Sequence, residues 1–246
     1  MTTKTALITG GMGGIGNAIC KALATQGHTV ISTYLSDDNK AEKWLSQNRK
    51  NGFNCYAYKC NVTDYNACSD LLTKIKQDIG CVDILINNAG ITRDGTLKKM
   101  TKESWDEVLT TNLDSLFNMT KHVLDDMLDK GWGRIINISS INGQKGQFGQ
   151  ANYSAAKAGV HGFTMAVAQE VARKGVTVNT IAPGYIATEM VMAVPEEVRH
   201  KIVAGIPVGR LGNPDEIAAL VNYLASDLAG FMTGAEIAIN GGQHMM

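Results

Sequence analysis

The chain has 246 residues, and its 23 lysines and arginines balance 23 aspartates and glutamates, so the formal net charge is zero. Hydrophobic residues make up 44% and charged residues 19%, which is typical of one globular domain and excludes a disordered chain. The neutral balance excludes a protein that holds nucleic acid by bulk positive charge, and no apolar run reaches the roughly 18 residues that a membrane-spanning helix needs.

Short β-rich runs alternate with longer helical stretches along the whole chain. Strands are predicted at Ala6–Thr9, Thr29–Thr33, Cys55–Tyr58, Ile84–Ile86, Gly133–Ile138, Thr177–Ile181 and Glu236–Ile239. Helices are predicted at Ile15–Thr25, Ala41–Asn48, Tyr65–Asp78, Lys102–Leu128 and Asn152–Arg173. Strands that are separated by helices require right-handed crossovers. We therefore predict an α/β fold over residues 1–246: a single Rossmann-like, doubly wound domain with a seven-stranded parallel sheet, helices on both faces, and a ligand crevice at the carboxyl ends of the strands.

All four prolines lie in the last third of the chain, where the stretch from Gly184 to Pro214 is less regular than the rest. This stretch leaves the carboxyl end of the sixth predicted strand, where the ligands of such folds bind. We therefore expect a substrate lid at about residues 189–214. The alternative is a tolerated surface insertion.

A glycine-rich turn, Thr9 to Gly16, follows the first predicted strand and opens a helix. Gly10 allows a sharp turn, Gly14 lets the backbone approach a pyrophosphate, and Gly16 permits close contact between helix and sheet. Such a turn also occurs in proteins without a nucleotide, but its place in the first βαβ unit favours dinucleotide binding. The predicted contacts in the turn are Gly10, Met12, Gly13, Gly14, Ile15 and Gly16.

The end of the second predicted strand bears on the choice between NAD and NADP. Tyr34 stands where an acidic residue would bind the ribose 2′-hydroxyl of NAD. The missing acid, together with Ser36 and Lys40, favours a 2′-phosphate and so predicts NADP(H) as the cofactor. Asp37 and Asp38 would repel that phosphate unless they point away.

Tyr153 and Lys157 are four residues apart on a predicted helix, which places them on one face in adjacent turns. A neighbouring ammonium is expected to lower the pKa of the tyrosine from its free value of about 10 and to suit it for acid–base work. Ser140, at the end of the fifth predicted strand, can hydrogen-bond a substrate carbonyl. Each feature alone could be chance or a helix cap, but together they indicate a catalytic set.

These motifs, taken in order along the chain, resemble the short-chain dehydrogenase/reductase family over essentially the whole sequence. The segments that carry the resemblance are Thr9–Gly16, Asn87–Gly90, Asn112, Ser140, Tyr153–Lys157 and Pro183–Thr188. The resemblance implies a homotetramer in which Tyr153 is the acid, Lys157 binds the nicotinamide ribose, Ser140 positions the carbonyl, and Asn112 holds a water in a proton relay.

The resemblance also implies further cofactor contacts. Asn61 and Val62 would bracket the adenine, and Ile186 and Thr188 would meet the nicotinamide half. The remaining positions that it implies in the cofactor site are Asn88, Ala89, Gly90, Pro183 and Gly184.

Within the family, the loops at 90–94 and 142–150 and the tail at 240–245 resemble members that reduce acetoacetyl-CoA to (R)-3-hydroxybutyryl-CoA with NADPH, for polyhydroxyalkanoate synthesis. By that likeness an acyl-CoA thioester is the partner, and substrate would contact Ser140, Tyr153, Gln147, Phe148, Gln150 and Tyr185, with Asp94 and Lys99 at the rim.

Two alternatives stay open. A reductase of 3-oxoacyl chains on an acidic carrier protein would need a basic surface, which Lys130, Arg173 and Lys174 could supply. A regulator that binds NADP without turnover would need a broken catalytic set.

The N-terminus and the cysteines indicate a compartment. The first five residues run into an apolar strand and lack the shape of a signal peptide, and five cysteines at unrelated spacings suit reduced thiols. We therefore expect a cytoplasmic protein. No His, Cys, Asp or Glu cluster has metal-ligand spacing, so no metal is predicted.

Overall fold

The computed structural model describes residues 3–245, and its core is a seven-stranded parallel sheet in the order β3-β2-β1-β4-β5-β6-β7. The strands are β1 (Thr5–Ile8), β2 (Thr29–Tyr34), β3 (Cys55–Lys59), β4 (Ile84–Asn87), β5 (Gly133–Ile138), β6 (Val176–Pro183) and β7 (Glu236–Ile239). The order reverses between β1 and β4, and ligands bind at such a switch point. The predicted fold class is confirmed.

Helices cover both faces of this sheet. They are α1 (Gly14–Thr25), α2 (Asp38–Lys50), α3 (Tyr65–Asp78), α4 (Lys102–Leu109), α5 (Ser115–Lys130), α6 (Ile141–Lys145), α7 (Ala151–Val171), α8 (Glu189–Met192), α9 (Glu196–Ala204) and α10 (Pro214–Ala225). Successive strand residues point to opposite faces, so Ile8 packs in the core under α1 and α10, while Leu7 packs in the core under α3 and α5. Both cores are closed, which explains why the strands read as continuous apolar runs.

The single helix predicted over residues 102–128 is wrong. Helix α4 ends at Leu109, a π-helical turn covers Thr110–Asp114, and α5 then runs on to Lys130. The side chain of Asn112, inside this turn, bonds the main chain of Ile91 through both its oxygen and its nitrogen at 2.8 Å. π-turns often mark functional sites, because the extra residue redirects side chains.

Helix α10 was not predicted, although its start carries a clear signal. Pro214 occupies the first turn, and Asn213 and Glu216 form a reciprocal capping box at its N-terminus. The expected lid region contains the short helices α8 and α9, and the loop that follows them leads directly into α10.

Candidate active site

A cavity of about 1090 Å³ opens at the carboxyl ends of β1 to β4, at the switch point. Many of the predicted cofactor residues line it, and they come from separate loops of the sequence. They are Gly10, Gly13, Gly14, Ile15, Tyr34, Asn61, Val62, Asn88, Ala89, Gly90 and Thr188. A volume of this size suits a dinucleotide better than a small metabolite.

The glycine turn explains the shape of the cavity floor. Gly14 begins α1 with φ +48°, a left-handed conformation that favours glycine. A Cβ on Gly16 would lie 2.6 Å from the carbonyl oxygen of Gly10 and 2.7 Å from Nδ2 of Asn88. Only glycine at position 16 therefore lets α1 approach the sheet this closely, and the free amides at the start of α1 face the cavity.

Thr9 joins the turn to the opposite wall. Its Oγ1 accepts hydrogen bonds of 2.9 Å from the amides of both Asn88 and Ala89, and Nδ2 of Asn88 donates back to the Thr9 carbonyl at 2.9 Å. These bonds fix the two loops that follow β1 and β4. The sequence motif included Thr9 without a role, and the structure gives it one as a clamp.

Lys40 is exposed and does not line the cavity, but its ammonium lies near the glycine turn. Its Nζ lies 3.8 Å from the position that a Cβ on Gly13 would take. Asp37 caps α2 by accepting from the Lys40 amide at 2.8 Å, and Asp38 pairs with Lys59 at 3.3 Å. Both carboxylates therefore have partners, and both are exposed within three residues of Lys40.

Several predicted cofactor residues do not line this cavity. Ser36 is exposed, and Met12 and Ile186 pack against the core. Pro183 ends β6 as a buried residue, and a Cβ on Gly184 would lie 2.8 Å from Cα of Asn240, so both shape the loop rather than the wall.

The predicted catalytic residues meet at the inner edge of the sheet. Lys157 is buried in α7, its Nζ donates to the carbonyl of Ile138 at 2.8 Å, and it lies 5.8 Å from the ring centroid of Tyr153. Ser140 follows β5 and caps α6, and its hydroxyl lies close enough to the phenol of Tyr153 to act on the pKa of that phenol. The three functional groups are therefore neighbours, although thirteen residues separate Ser140 from Tyr153 in the sequence.

Burial is the largest influence on the pKa values of Tyr153 and Lys157. It raises the pKa of Tyr153 above its ordinary value, an effect that the Ser140 hydroxyl partly offsets, while the negative charge of Asp94 adds to the rise. Burial also lowers the pKa of Lys157 to about 8. The expected lowering of the tyrosine pKa by the lysine is therefore not seen in the protein alone, and the phenol is held protonated, as an acid requires.

Asn112 lies directly behind Lys157. A Cβ on Gly90 would be 3.2 Å from Oδ1 of Asn112 and 3.6 Å from Nζ of Lys157, so both polar groups border the space that this glycine leaves open. The π-turn thus brings an amide that is distant in sequence to the buried ammonium.

The loops expected to bind substrate are joined to one another. Nε2 of Gln150 donates to Asp94 at 2.9 Å, and Nδ2 of Asn142 donates to Oε1 of Gln150 at 2.8 Å. Phe148 is 87% exposed beside them. Gln147 and Lys99 are exposed and Tyr185 is half-buried, and no side-chain hydrogen bond of these three is seen among the described residues.

Asn152 is a residue that the sequence reasoning missed. It is fully buried, it donates to the carbonyls of Arg93 and Ser104 at 3.1 and 3.0 Å, and it accepts from the amide of Tyr153 at 2.8 Å. It therefore ties the first turn of α7 to the loop after β4. Its position next to Tyr153 was the only signal in the sequence.

The cavity also has lining residues that were not predicted. They are Thr33, Leu35, Cys60, Thr63, Ile91, Arg93, Glu103, Asp106, Glu107, Thr110, Thr111, Glu189 and Met190. Most of them lie within two positions of a predicted residue, on either side, and the rest come from α4 and the π-turn.

Comparison with known proteins agrees with this geometry. The sequence profile of the short chain dehydrogenase family matches residues 4–199. The chain belongs to the short-chain dehydrogenase family. It is therefore an oxidoreductase of the C=O/CH–OH couple, and its cofactor is a nicotinamide dinucleotide.

Individual short-chain dehydrogenases are similar over their full length. The acetoacetyl-CoA reductase of Cupriavidus necator is 58% identical over 100% of both chains. The nodulation protein G of Azospirillum brasilense is 56% identical over 98% of each. The 3-oxoacyl-[acyl-carrier-protein] reductase of Vibrio cholerae is 46% identical over 99% of this chain and 98% of its own.

Residues 3–245 contain neither a candidate membrane-spanning helix nor a candidate metal site. No helix there is long and apolar enough to cross a membrane, and no three His, Cys, Asp or Glu side chains are grouped so that they could hold a metal ion.

Proposed function

We propose that this short-chain dehydrogenase reduces acetoacetyl-CoA to (R)-3-hydroxybutyryl-CoA with NADPH, in the cytoplasm, as a step toward polyhydroxyalkanoates. The observation that carries the chemistry is the meeting of Ser140, Tyr153 and Lys157, whose ammonium lies next to Gly90 in the wall of a dinucleotide-sized cavity. The acyl-CoA substrate is supported by acetoacetyl-CoA reductases that are 58%, 52% and 55% identical over nearly the whole chain.

The cavity fits NADPH at both ends. The free amides at the start of α1 and the close approach at Gly16 suit a pyrophosphate. Lys40, whose ammonium lies near Gly13 of the glycine turn, would hold a 2′-phosphate, and Asn61 and Val62 would bracket the adenine. When bound, the nicotinamide supplies the hydride for the substrate carbon.

Side chains of the protein would protonate and hydrogen-bond the carbonyl oxygen of the substrate. Tyr153, held protonated by burial, donates its proton to that oxygen, and the Ser140 hydroxyl provides a second hydrogen bond as negative charge develops there. Lys157 would hold the nicotinamide ribose and favour the phenolate that the proton transfer leaves. Asn112, behind Lys157, would order a water that returns the proton to Tyr153.

The substrate would enter between the joined loops at 94–95 and 147–150 and the segment at 189–214. Met190 and Phe148, 71% and 87% exposed, would form an apolar wall for the acyl chain. We propose that α8 and α9 act as the lid that closes over it, because Thr188, Glu189 and Met190 already line the cavity mouth.

A homotetramer is part of the proposal. Exposed apolar side chains lie on α5 (Phe117), on α7 (Met165), and after α10 (Leu228 and Phe231). Two separate apolar surfaces can pair four copies with closed symmetry. Light scattering after size-exclusion chromatography should give four times 26.4 kDa, and a monomer would refute this part.

The carrier-protein alternative has weaker support. All three of its basic residues are exposed, but Lys130 is ion-paired with the buried Asp83, so its charge is already matched by a carboxylate. The regulator alternative would require a broken catalytic set, whereas all members are present and adjacent.

The test compares wild type with Tyr153→Phe. We expect the wild type to oxidise NADPH rapidly with acetoacetyl-CoA and more slowly with a carrier-bound 3-oxoacyl chain. Tyr153→Phe should lose at least about 100-fold in kcat, because a general acid contributes that much, while NADPH still binds when followed by fluorescence. A marked preference for the carrier-bound chain would reverse the substrate assignment, and unchanged turnover in the variant would refute the mechanism.

A further inference from the structure

Four polar side chains outside the proposed catalytic set form a continuous hydrogen-bonded chain beneath it. Gln144 of α6 donates to Oε1 of Glu236 at 2.6 Å, and Oε2 of Glu236 pairs with Nδ1 of His161 at 3.0 Å. Nε2 of His161 lies 2.7 Å from Oγ of Ser139. We refer to Gln144, Glu236, His161 and Ser139 as the Glu236 chain.

The Glu236 chain ends on Lys157. Oγ of Ser139 lies 2.8 Å from the carbonyl oxygen of Lys157, while the preceding residue, Ile138, accepts from Nζ of the same lysine. The end of β5 therefore contacts Lys157 twice: Ser139 lies against its main chain, and Ile138 accepts from its ammonium. Helix α6 closes the other side, since a Cβ on Gly143 would lie only 2.7 Å from the carbonyl carbon of Lys157.

The protons available on Ser139 and His161 allow the Glu236 chain two hydrogen-bonding arrangements. The Ser139 hydroxyl has one proton and two neighbouring acceptors, the carbonyl of Lys157 and a neutral Nε2 of His161. When His161 is neutral with its proton on Nδ1 toward Glu236, the Ser139 proton goes to Nε2. When His161 is protonated, both ring nitrogens donate, and the Ser139 proton is free to bond the carbonyl of Lys157.

The charges around His161 come from two elements. Glu236 of β7 raises the pKa of His161, and Lys157 of its own helix lowers it, while burial lowers it most. The groups that face it from α6 and β5, Gln144 and Ser139, are neutral. His161 is 11% exposed and Glu236 is 26% exposed, so the pair is only partly screened by water.

We propose that Ser139, His161 and Glu236 are positioning residues for the reduction, and that the protonation state of His161 decides whether the Ser139 hydroxyl holds the main chain of Lys157. This inference rests on the proposed function, because Lys157 matters only if it serves the reaction. Small misplacements of a catalytic group have large effects on kcat and small effects on KM.

The test uses His161→Phe and Glu236→Gln. In the wild type, kcat should show an ionisation below pH 6.5, which is the ordinary pKa of histidine. Glu236→Gln should move that ionisation to lower pH, because a favourable negative charge is lost. His161→Phe should abolish it and give, at every pH, a kcat within about twofold of the wild-type value at low pH, because the Ser139 proton then has only the carbonyl of Lys157 to bond; each KM should stay within about twofold of wild type.

The controls separate positioning from stability. His28→Phe removes a buried histidine that accepts from the amide of Lys4, and Glu170→Gln removes an exposed carboxylate from α7. Neither should alter the pH profile, whatever either does to the melting temperature. If every variant had the same pH profile of kcat as the wild type, the proposal would be wrong. It would also be wrong if kcat fell in the two control variants in proportion to their loss of melting temperature, because kcat would then report stability. If His161→Phe does not fold, the direction of the shift in Glu236→Gln decides the matter.

A second measurement is independent of turnover. NMR titration of the His161 ring should show its pKa falling in Glu236→Gln and rising in Lys157→Met, since the lysine lowers it. If acetoacetyl-CoA is not reduced, the proposed function fails, while the titration still reports on the coupling. An unchanged His161 titration in both variants would refute the chain itself.

Discussion

Replacing Lys157 with methionine should stabilise the protein while removing its activity. The ammonium is buried, and burial lowers its pKa from 10.5 to about 8. A fall of that size corresponds to about 3 kcal/mol by which folding disfavours the charged form. Methionine has a similar length and no charge, so Lys157→Met removes this penalty and leaves a well-filled site.

The pH dependence of the gain follows from the sign of the shift. The folded pKa lies below the unfolded one, so the penalty is fully present below about pH 8. It then falls as pH rises, because the folded protein loses the proton first, and it is gone above 10.5. Against it stands the lost hydrogen bond to Ile138, which costs about 1 kcal/mol at every pH. We therefore expect a net gain of about 2 kcal/mol at pH 7 and a small net loss near pH 10.5.

Urea unfolding of wild type and Lys157→Met at pH 7 and pH 10, at one protein concentration, measures this difference. Lys174→Met, on the exposed 3₁₀ turn after α7, is the matched control and should show no pH-dependent difference from wild type. If the difference in unfolding free energy between Lys157→Met and wild type were the same at both pH values, burial would not disfavour the ammonium, and the prediction would be refuted.

Three further outcomes are expected. Gly16→Ala should cost about 1–3 kcal/mol of unfolding free energy and weaken NADPH binding, because the new Cβ meets the Gly10 carbonyl at 2.6 Å; parallel melting and fluorescence titration would measure both. Lys40→Ala should raise the KM for NADPH about tenfold and leave that for NADH unchanged, with Lys43→Ala as an inert control in steady-state assays. Phe148→Ala, at a side chain 87% exposed, should change the unfolding free energy by less than about 0.5 kcal/mol yet raise the KM for acetoacetyl-CoA about fivefold.

The sequence alone predicts the strands and the catalytic residues, because apolar runs mark the buried strands and the reactive side chains follow them. All seven strands were found because a parallel sheet buried on both faces produces continuous apolar runs, such as Ile84–Asn87. The meeting of Ser140 with Tyr153 was predictable because Ser140 follows β5 and Tyr153 lies in the first turn of the long helix that comes next in the predicted order. The π-turn at Thr110–Asp114 was not, since an inserted residue in a helix leaves the helical pattern on either side intact.

The pKa of Tyr153 shows a different limit. Spacing alone placed an ammonium beside the phenol and predicted a lowered pKa, but the structure adds burial, which acts in the opposite direction and is larger. Sequence spacing reports which groups are neighbours and says little about how much water each retains, although desolvation often dominates a pKa.

Burial and the Glu236 chain act on the same residue in opposite ways. A buried lysine with one carbonyl partner is costly, and such a side chain keeps a single position only if its surroundings are fixed. β5 supplies the carbonyl of Ile138, and Ser139 and α6 hold the main chain on either side. Hydrogen bonds that Lys157 does not itself supply thus fix its backbone, which leaves the ammonium free to change partners between Ile138 and a cofactor. If so, Lys157→Met should retain the Ser139 bond to the main chain, and the protection of the surrounding amides from hydrogen exchange should match wild type. His161→Phe should raise that protection with the ammonium still present, because the carbonyl of Lys157 is then the acceptor left to the Ser139 proton.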